Sequence, residues 1–188
     1  MELYALCDIA LLRKKGITIE AFCERANALD AKLIQYRVKF GHPDAIISDL
    51  RYMRNACSNT PIIVNDYIAM AEHCDGLHMG QEDFSAINKD FSITVEEIKK
   101  CMGEEKLLGL STHNAQEIKL ANALDVDYIG LGAFRDTSTK RDARVLGESL
   151  DALASLSIHD VAAIGGVRLD DHFENARYLV IGSALYED

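Results

Sequence analysis

Short runs of apolar residues alternate along the chain with longer segments whose apolar residues recur at helical spacing. The runs are nearly continuous, which is typical of parallel strands covered on both faces. They predict strands at Leu3–Cys7, Leu33–Arg37, Pro61–Val64, Gly76–Met79, Leu107–Leu110, Tyr128–Leu131, Val161–Ile164 and Tyr178–Ile181. The segments between them predict helices at Ile17–Leu29, Asp44–Cys57, Thr94–Met102, Asn114–Leu124, Ser149–Leu156 and Leu169–Ala176.

Two of these helices have recognisable start signals. Asn114 precedes AQEI, and Thr94 precedes VEEI with Glu97 three residues further on, as in a capping box. We therefore expect Asn114 and Thr94 to be N-cap residues.

The alternation of strands and helices predicts an α/β fold, a compact (β/α)8 TIM barrel in one domain spanning residues 1–188. The chain is short for this fold, whose usual length is roughly 250 residues. Only Ala184–Asp188 follow the last predicted strand, so we expect a truncated last helix. An open α/β sheet of about six or seven strands is the alternative.

Composition and charge exclude several classes of protein. The 30 acidic residues outnumber the 20 basic ones, and the net charge of −10 disfavours non-specific binding to nucleic acid or anionic membranes. No apolar run has membrane-spanning length, and no targeting signal is recognisable. The 5 cysteines are widely spaced without C-x-x-C, which argues against a disulfide framework and a zinc site. We expect a cytoplasmic protein with small-molecule substrates, and a homodimer is left open.

The stretch LIQYRVK, residues 33–39, places three polar side chains on one side of a predicted strand: Gln35, Arg37 and Lys39. In a TIM barrel, alternate strand residues point towards the axis, and the active site lies at the carboxyl ends of the strands. We therefore expect this row to line the mouth, where Arg and Lys suit phosphate or diphosphate oxygens. An edge strand with a solvated face is the alternative interpretation.

Carboxylates follow the next two predicted strands. Asn65 and Asp66 come after PIIV, and Asp83 lies in GQED after GLHM. Two carboxylates beside a basic wall suit Mg²⁺ bound to a diphosphate. The alternative is that each Asp caps the helix that follows it, and both roles can coexist. Ser111 follows the fifth strand and is able to donate to phosphate, and a turn or cap role fits it as well.

The later strand ends suggest a second anion site. The long polar segment LGAFRDTSTKRDARVLG clusters Thr137, Thr139 and Lys140, either as a binding lid or as a solvated linker. Loops after strands seven and eight form the recurrent phosphate cradle of TIM barrels. In this chain those loops contain Gly165, Gly166, Gly182 and Ser183.

Taken together, these motifs resemble the thiamine-phosphate synthase family. QYRVK, IVNDY, DGLHMGQED, LGLSTHNAQEI, DYIGLGAF with TSTK, AIGGV and GSAL occur in the family's order and approximate spacing, from about Leu3 to Leu185. The resemblance implies a (β/α)8 barrel that joins 4-amino-5-hydroxymethyl-2-methylpyrimidine diphosphate to 4-methyl-5-(2-phosphoethyl)thiazole. Diphosphate is released and thiamine phosphate is formed.

The resemblance also implies a role for each motif residue, with Gln35 contacting the pyrimidine and Mg²⁺ coordinated by Asp66 and Asp83. The residues implied to hold the diphosphate are Arg37, Lys39, Asn65, Ser111 and Lys140. The residues implied to hold the thiazole phosphate are Thr137, Thr139, Gly165 or Gly166, Gly182 and Ser183. Because catalysis in this family is charge stabilisation and positioning, the candidate catalytic residues are Arg37, Lys39, Ser111 and Lys140.

Several features depart from the family pattern, among them a short segment between AIGGV and GSAL. The usual FPTxTK is replaced by FRDTSTK, with Arg135 and Asp136; a usually branched residue is Gly182; and the closing helix is nearly missing. Two other functions therefore stay open, a thiazole tautomerase using a histidine near His113 and a phosphate-ligand binding protein without catalysis. The tautomerase needs no diphosphate site, so Lys39 and the two aspartates argue against it.

Overall fold

The computed structural model describes residues 1–136 and 145–187, and its parallel strands close into a barrel in chain order, with β1 pairing to β8. The strands are β1 Glu2–Asp8, β2 Leu33–Arg37, β3 Ile62–Asn65, β4 Gly76–Met79, β5 Leu107–Thr112, β6 Tyr128–Leu131, β7 Asp160–Ala163 and β8 Tyr178–Ile181. The predicted (β/α)8 barrel is confirmed, and the open sheet is excluded. Strand β2 pairs with both β1 and β3, so the edge-strand interpretation is wrong.

Helices flank the barrel between successive strands. Within the described residues they are α1 Ile9–Lys15, α2 Ile19–Ala28, α3 Pro43–Ala56, α4 Gln81–Ile87, α5 Phe91–Met102, α6 Ala115–Ala121 and α7 Ser149–Ala154. Short 3-10 segments occupy Ile68–His73 and Ser183–Tyr186, the second of which takes the place of a closing helix. Within the described residues, β8 is therefore followed by a 3-10 segment. None of the helices described here is long and apolar enough to cross a membrane.

The N-cap predictions have different outcomes. Asn114 caps α6, and its side-chain oxygen accepts from the Gln116 and Glu117 amides at 3.0 Å. The Thr94 prediction is wrong, because α5 begins at Phe91 with Asp90 as its cap. The Thr94 hydroxyl is buried and donates to backbone carbonyls instead.

The predicted helices differ from the observed ones both by an absence and by additions. The prediction of a helix at Leu169–Ala176 is wrong, since this segment forms turns and irregular backbone. Within it, the Asp171 carboxylate accepts from the Arg168 amide at 2.8 Å, a local bond that competes with helix formation. Helices α1 and α4 were not predicted, and α1 begins directly after β1 because Asp8 caps it.

The barrel interior is tightly filled, and this decides which side chains reach the mouth. An inner cluster, distinct from the larger core between strands and helices, is formed by Tyr4, Leu33, Ile63, Tyr128, Ala162, Tyr178 and Val180. A Cβ added at Gly109 would lie 2.2 Å from the Tyr128 ring and 2.5 Å from Nδ1 of His78. Glycine at 109 therefore leaves the space that Tyr128 and His78 occupy.

Candidate active site

The polar row of β2 follows the strand alternation at its first two positions. Gln35 is buried in the barrel, where its amide donates to the Tyr4 hydroxyl at 3.1 Å. Arg37 ends the strand, and its side chain is 21% exposed. Lys39 lies beyond the strand and is exposed, and its carbonyl accepts from the Tyr67 hydroxyl at 3.1 Å. The row thus leads from the barrel interior to its open end.

Asp8 holds Arg37 in place, and the sequence reasoning missed it. The Asp8 Oδ2 atom accepts from Nη1 of Arg37 at 2.5 Å, while Oδ1 accepts from the Leu11 amide at 3.0 Å and caps α1. Asp8 is only 5% exposed, so this pairing orders the guanidinium. Its position at the end of an apolar run, where Asp66 also lies one residue further on, is the signal that could have identified it.

The carboxylate pair lies at the ends of β3 and β4. Asp66 follows β3 with a left-handed backbone at φ +63°, and the Asn65 side-chain amide donates to its carboxylate. Burial raises the pKa of the Asp66 carboxyl, and the charge of Asp83 raises it further, against the opposing charge of Arg37. The Asp83 carboxylate and the Arg37 guanidinium therefore both lie within electrostatic reach of Asp66.

Neither aspartate is a helix N-cap, so the capping alternative is wrong for both. Asp83 lies inside the first turn of α4, whose N-cap is Gly80, and the 3-10 segment after Asp66 is capped by Tyr67. A Cβ added at Gly80 would lie 3.0 Å from Oδ2 of Asp83. The glycine thus gives the carboxylate room beside the strand end.

A chain of hydrogen bonds crosses the barrel interior from β2 to β5. Gln35 donates to the Tyr4 hydroxyl, which lies 2.7 Å from the Tyr128 hydroxyl. The Tyr128 hydroxyl lies 3.1 Å from Nδ1 of His78, and Nε2 of His78 lies 2.9 Å from the Ser111 hydroxyl. Burial raises the pKa of both tyrosines, so their hydroxyls stay protonated. This series of hydrogen bonds thus connects Gln35 on β2 with Ser111 on β5.

His78 is the second residue that the sequence reasoning did not single out, although it lies within the quoted DGLHMGQED. Its inward position, two residues after Gly76 on β4, could have been inferred from strand alternation. Ser111 belongs to β5, which continues to Thr112, so its predicted position after the strand is wrong by two residues. The Ser111 carbonyl accepts from the Gln81 side chain at 2.7 Å.

The second anion site is described only in part, because Thr137, Thr139 and Lys140 lie outside the described residues. Gly165 and Gly166 follow β7 with left-handed backbones, at φ +91° and +68°. Gly182 follows β8, and the exposed Ser183 begins the last 3-10 segment. Since β7 and β8 are hydrogen-bonded neighbours, these two turns emerge side by side.

The carboxylate pair has donor chemistry that fits Mg²⁺. Among residues 1–136 and 145–187, no group of three or more His, Cys, Asp or Glu side chains is placed to hold a metal ion. Mg²⁺ usually binds through one or two carboxylates, with phosphate oxygens and water completing its shell. Burial first and the charge of Asp83 second raise the pKa of Asp66, and two such neighbouring carboxylates are a suitable partial set of oxygen ligands for this cation.

The model of the thiamine monophosphate synthase family matches residues 3–186, nearly the whole chain. The chain belongs to this family. A thiamine-phosphate synthase from Persephonella marina is 35% identical over 197 residues, which cover 100% of this chain and 89% of that protein. One from Methanosarcina barkeri is 35% identical over 175 residues, covering 87% of this chain and 74% of that protein.

A solved structure of this family has the same fold. The thiamine phosphate pyrophosphorylase from Pyrococcus furiosus matches with a TM-score of 0.78 at 24% identity, covering 97% of this chain and 86% of that one. Thiamine monophosphate synthase family membership makes this chain a transferase that acts on small molecules, and it is consistent with a metal-dependent reaction. The cytoplasmic location, the homodimer and the lack of nucleic-acid or membrane partners stay predictions.

Proposed function

We propose that this chain is a thiamine-phosphate synthase that couples the pyrimidine diphosphate to the thiazole phosphate in thiamine biosynthesis, with Mg²⁺ as its cofactor. One observation carries this proposal: the Asp66 carboxylate lies within electrostatic reach of both the Arg37 guanidinium and the Asp83 carboxylate. A leaving diphosphate needs both a guanidinium and a divalent cation nearby. A tautomerase would have no use for this combination.

Mg²⁺ held by Asp66 and Asp83 would neutralise the charge that develops on the leaving diphosphate. Arg37 would donate to the diphosphate oxygens as well, because a guanidinium has five N–H donors and the bond to Asp8 uses only its Nη1. Ser111 and the exposed Lys39 supply further donors, and Asn65 and Lys140 complete the set in this proposal. Gln35, held by Tyr4, positions the pyrimidine.

The reaction balances without a protein nucleophile. The bond between the pyrimidine methylene carbon and the diphosphate oxygen breaks, and its electron pair leaves with the diphosphate. The resulting cation is stabilised by the ring amino group, and the thiazole nitrogen supplies the electron pair of the new carbon–nitrogen bond. The protein's part is to hold both substrates in line and to stabilise charge.

The thiazole phosphate binds at the later strand ends in this proposal. The backbone amides after Gly165 and Gly166 and the turn at Gly182 and Ser183 bind its phosphate, together with Thr137 and Thr139. Glycine and serine at these turns let backbone amides approach an anion closely. The thiazole phosphate would then bind beside β7 and β8, and the diphosphate beside β2 to β5.

The test is an end-point assay with both substrates, with and without Mg²⁺, in which mass spectrometry measures thiamine phosphate and diphosphate. Equal amounts of the two products, formed only with Mg²⁺, support the proposal. Absence of product from protein with a cooperative thermal unfolding transition overturns it. A parallel incubation with the thiazole tautomer tests the tautomerase, in which His113 would act; its Nδ1 lies 2.9 Å from Glu117.

A further inference from the structure

A bidentate ion pair joins the segment after β6 to the segment after β7. Nη1 and Nη2 of Arg135 donate to the two carboxylate oxygens of Asp171, each at 2.6 Å. Nη1 also donates to the Gly166 carbonyl at 2.8 Å, and the guanidinium lies 4.3 Å from the centre of the Phe134 ring. Arg135 belongs to the FRDTSTK stretch, in which this chain departs from the usual family motif.

Arg135 also contacts the turn at Gly165 and Gly166 through its backbone. Its amide donates to the Gly165 carbonyl at 2.7 Å, and Asp171 additionally accepts from the Arg168 amide at 2.8 Å. A Cβ added at Gly166 would lie 2.8 Å from the Cβ of Arg135. Two consecutive carbonyls of the glycine turn are therefore fixed against one residue.

The amides of the turn are oriented by the same contacts. In a trans peptide the N–H points opposite to the C=O. Because the carbonyls of Gly165 and Gly166 accept from Arg135, the amides of Gly166 and Val167 in the same two peptides point away from Arg135. Within the described residues, neither amide donates to a backbone carbonyl. Successive amides presented by such a turn form an anion-binding concavity.

We propose that Arg135 is a positioning residue that holds the Gly166 and Val167 amides in place for the phosphate of the thiazole substrate. The inference rests on the proposed function for the identity of that anion. Arg135 acts through the turn and not on the anion, because its terminal nitrogens donate to Asp171 and Gly166. Asp171 is the partner that keeps the guanidinium in this orientation.

Steady-state kinetics with each substrate varied in turn tests the inference in Arg135→Ala and Asp171→Asn. We expect each variant to raise the KM for the thiazole phosphate about tenfold, as for the loss of hydrogen bonds to a charged group. The KM for the pyrimidine diphosphate and the kcat should stay within about twofold of the wild-type values. The lost contacts bind the thiazole phosphate equally in the ground state and in the transition state. The double variant should be no worse than either single one.

Arg177→Ala is the matched control. Arg177 also forms an ion pair at 2.6 Å, with Asp160, but it precedes β8 at the amino end of the barrel. We expect it to leave both KM values unchanged. An unchanged KM for the thiazole phosphate in Arg135→Ala, or an equal rise in both KM values, overturns the inference. Arg135→Lys keeps the positive charge but loses the paired guanidinium donors, so it should show an intermediate KM for the thiazole phosphate. It is measured if Arg135→Ala does not fold.

Binding of the thiazole phosphate alone, followed by phosphorus NMR, separates this inference from the proposed function. If the wild type binds it but forms no thiamine phosphate, the proposed function fails; about tenfold weaker binding by Arg135→Ala would still support the positioning role. Equal binding by wild type and variant overturns the positioning role even where the coupling reaction proceeds. Failure of the wild type to bind this compound overturns both.

Discussion

The Asp8 carboxylate lies 2.5 Å from the Arg37 guanidinium, and the two residues are register partners on the neighbouring strands β1 and β2. The same carboxylate caps α1 by accepting from the Leu11 amide. One side chain therefore supports both the start of the first helix and the orientation of the cation that is proposed to bind the diphosphate.

Substitutions at Asp8 should separate these two tasks. Asp8→Ala removes the cap and the ion pair, so we expect a stability loss of about 1 kcal/mol and a KM for the pyrimidine diphosphate raised about tenfold. Asp8→Asn keeps a capping oxygen but loses the charge, so the kinetic defect should persist with little loss of stability. Urea unfolding and steady-state kinetics measure the two effects.

Asp90→Ala is the control for this prediction. Asp90 caps α5 through the Ser92 amide at 3.0 Å and is exposed. Its substitution should lower the free energy of unfolding without changing either KM. A normal KM in Asp8→Asn would show that Arg37 needs no such partner.

The carboxylate pair should be needed for turnover and not for folding. Asp66→Asn is preferred to Ala because Asn tolerates the left-handed backbone at φ +63°. We expect Asp66→Asn and Asp83→Asn to lower kcat about a hundredfold or more at fixed Mg²⁺. Both lie at the mouth and not in the core, so thermal unfolding should change little.

The control variant is Asp125→Asn, whose side chain is 83% exposed. It should retain wild-type turnover and the wild-type dependence on Mg²⁺ concentration. Full activity of the Asp66→Asn, Asp83→Asn double variant would contradict the metal assignment.

The interior hydrogen-bond chain should contribute to activity through Tyr128. Tyr128→Phe keeps the ring but removes the hydroxyl that contacts both Tyr4 and His78. We expect a loss of about 1–2 kcal/mol in the free energy of unfolding, because buried partners lose a hydrogen bond. The kcat should also fall, since His78 and through it Ser111 lose their orientation.

Tyr178→Phe is the matched control, because Tyr178 packs edge-on against Tyr4 in the same interior cluster. Its kcat should stay at the wild-type value. A similar fall in kcat for both variants would mean that general packing, and not the chain through Tyr128, supports turnover.

The Arg135–Asp171 pair should make a pH-dependent contribution to stability. The hydrogen bonds from Arg135 lower the pKa of the Asp171 carboxyl, so its folded pKa is below its unfolded one. The pair therefore stabilises the fold at pH values above the unfolded pKa, and this contribution is lost as the pH falls through the folded pKa. Urea unfolding from neutral to acid pH should show Asp171→Asn less stable than wild type near neutrality, with the difference vanishing at acid pH.

An Arg135→Ala background supplies the control for this titration. Without the guanidinium, the further substitution Asp171→Asn should have a smaller effect, and that effect should vary less with pH. A difference that stays constant from neutral to acid pH in the wild-type background would contradict the prediction.

The local sequence pattern was sufficient to predict the strands of the barrel. Strands covered on both faces are continuous apolar runs, so every predicted strand lies within two residues of its observed bounds. Alternation within β2 likewise placed Gln35 and Arg37 on one face. The cap at Asn114 was predictable because its acceptors and donors lie within three residues.

Long-range contacts account for what local pattern could not predict. The bonds from Asp8 to Arg37 and from His78 to Tyr128 join residues 29 and 50 positions apart, so no local window contains both partners. The segment at Leu169–Ala176 has helical periodicity, yet Asp171 pairs with Arg135, 36 positions away. Closure of the barrel brings these partners together, and their charges and hydrogen bonds then prevail over local preference.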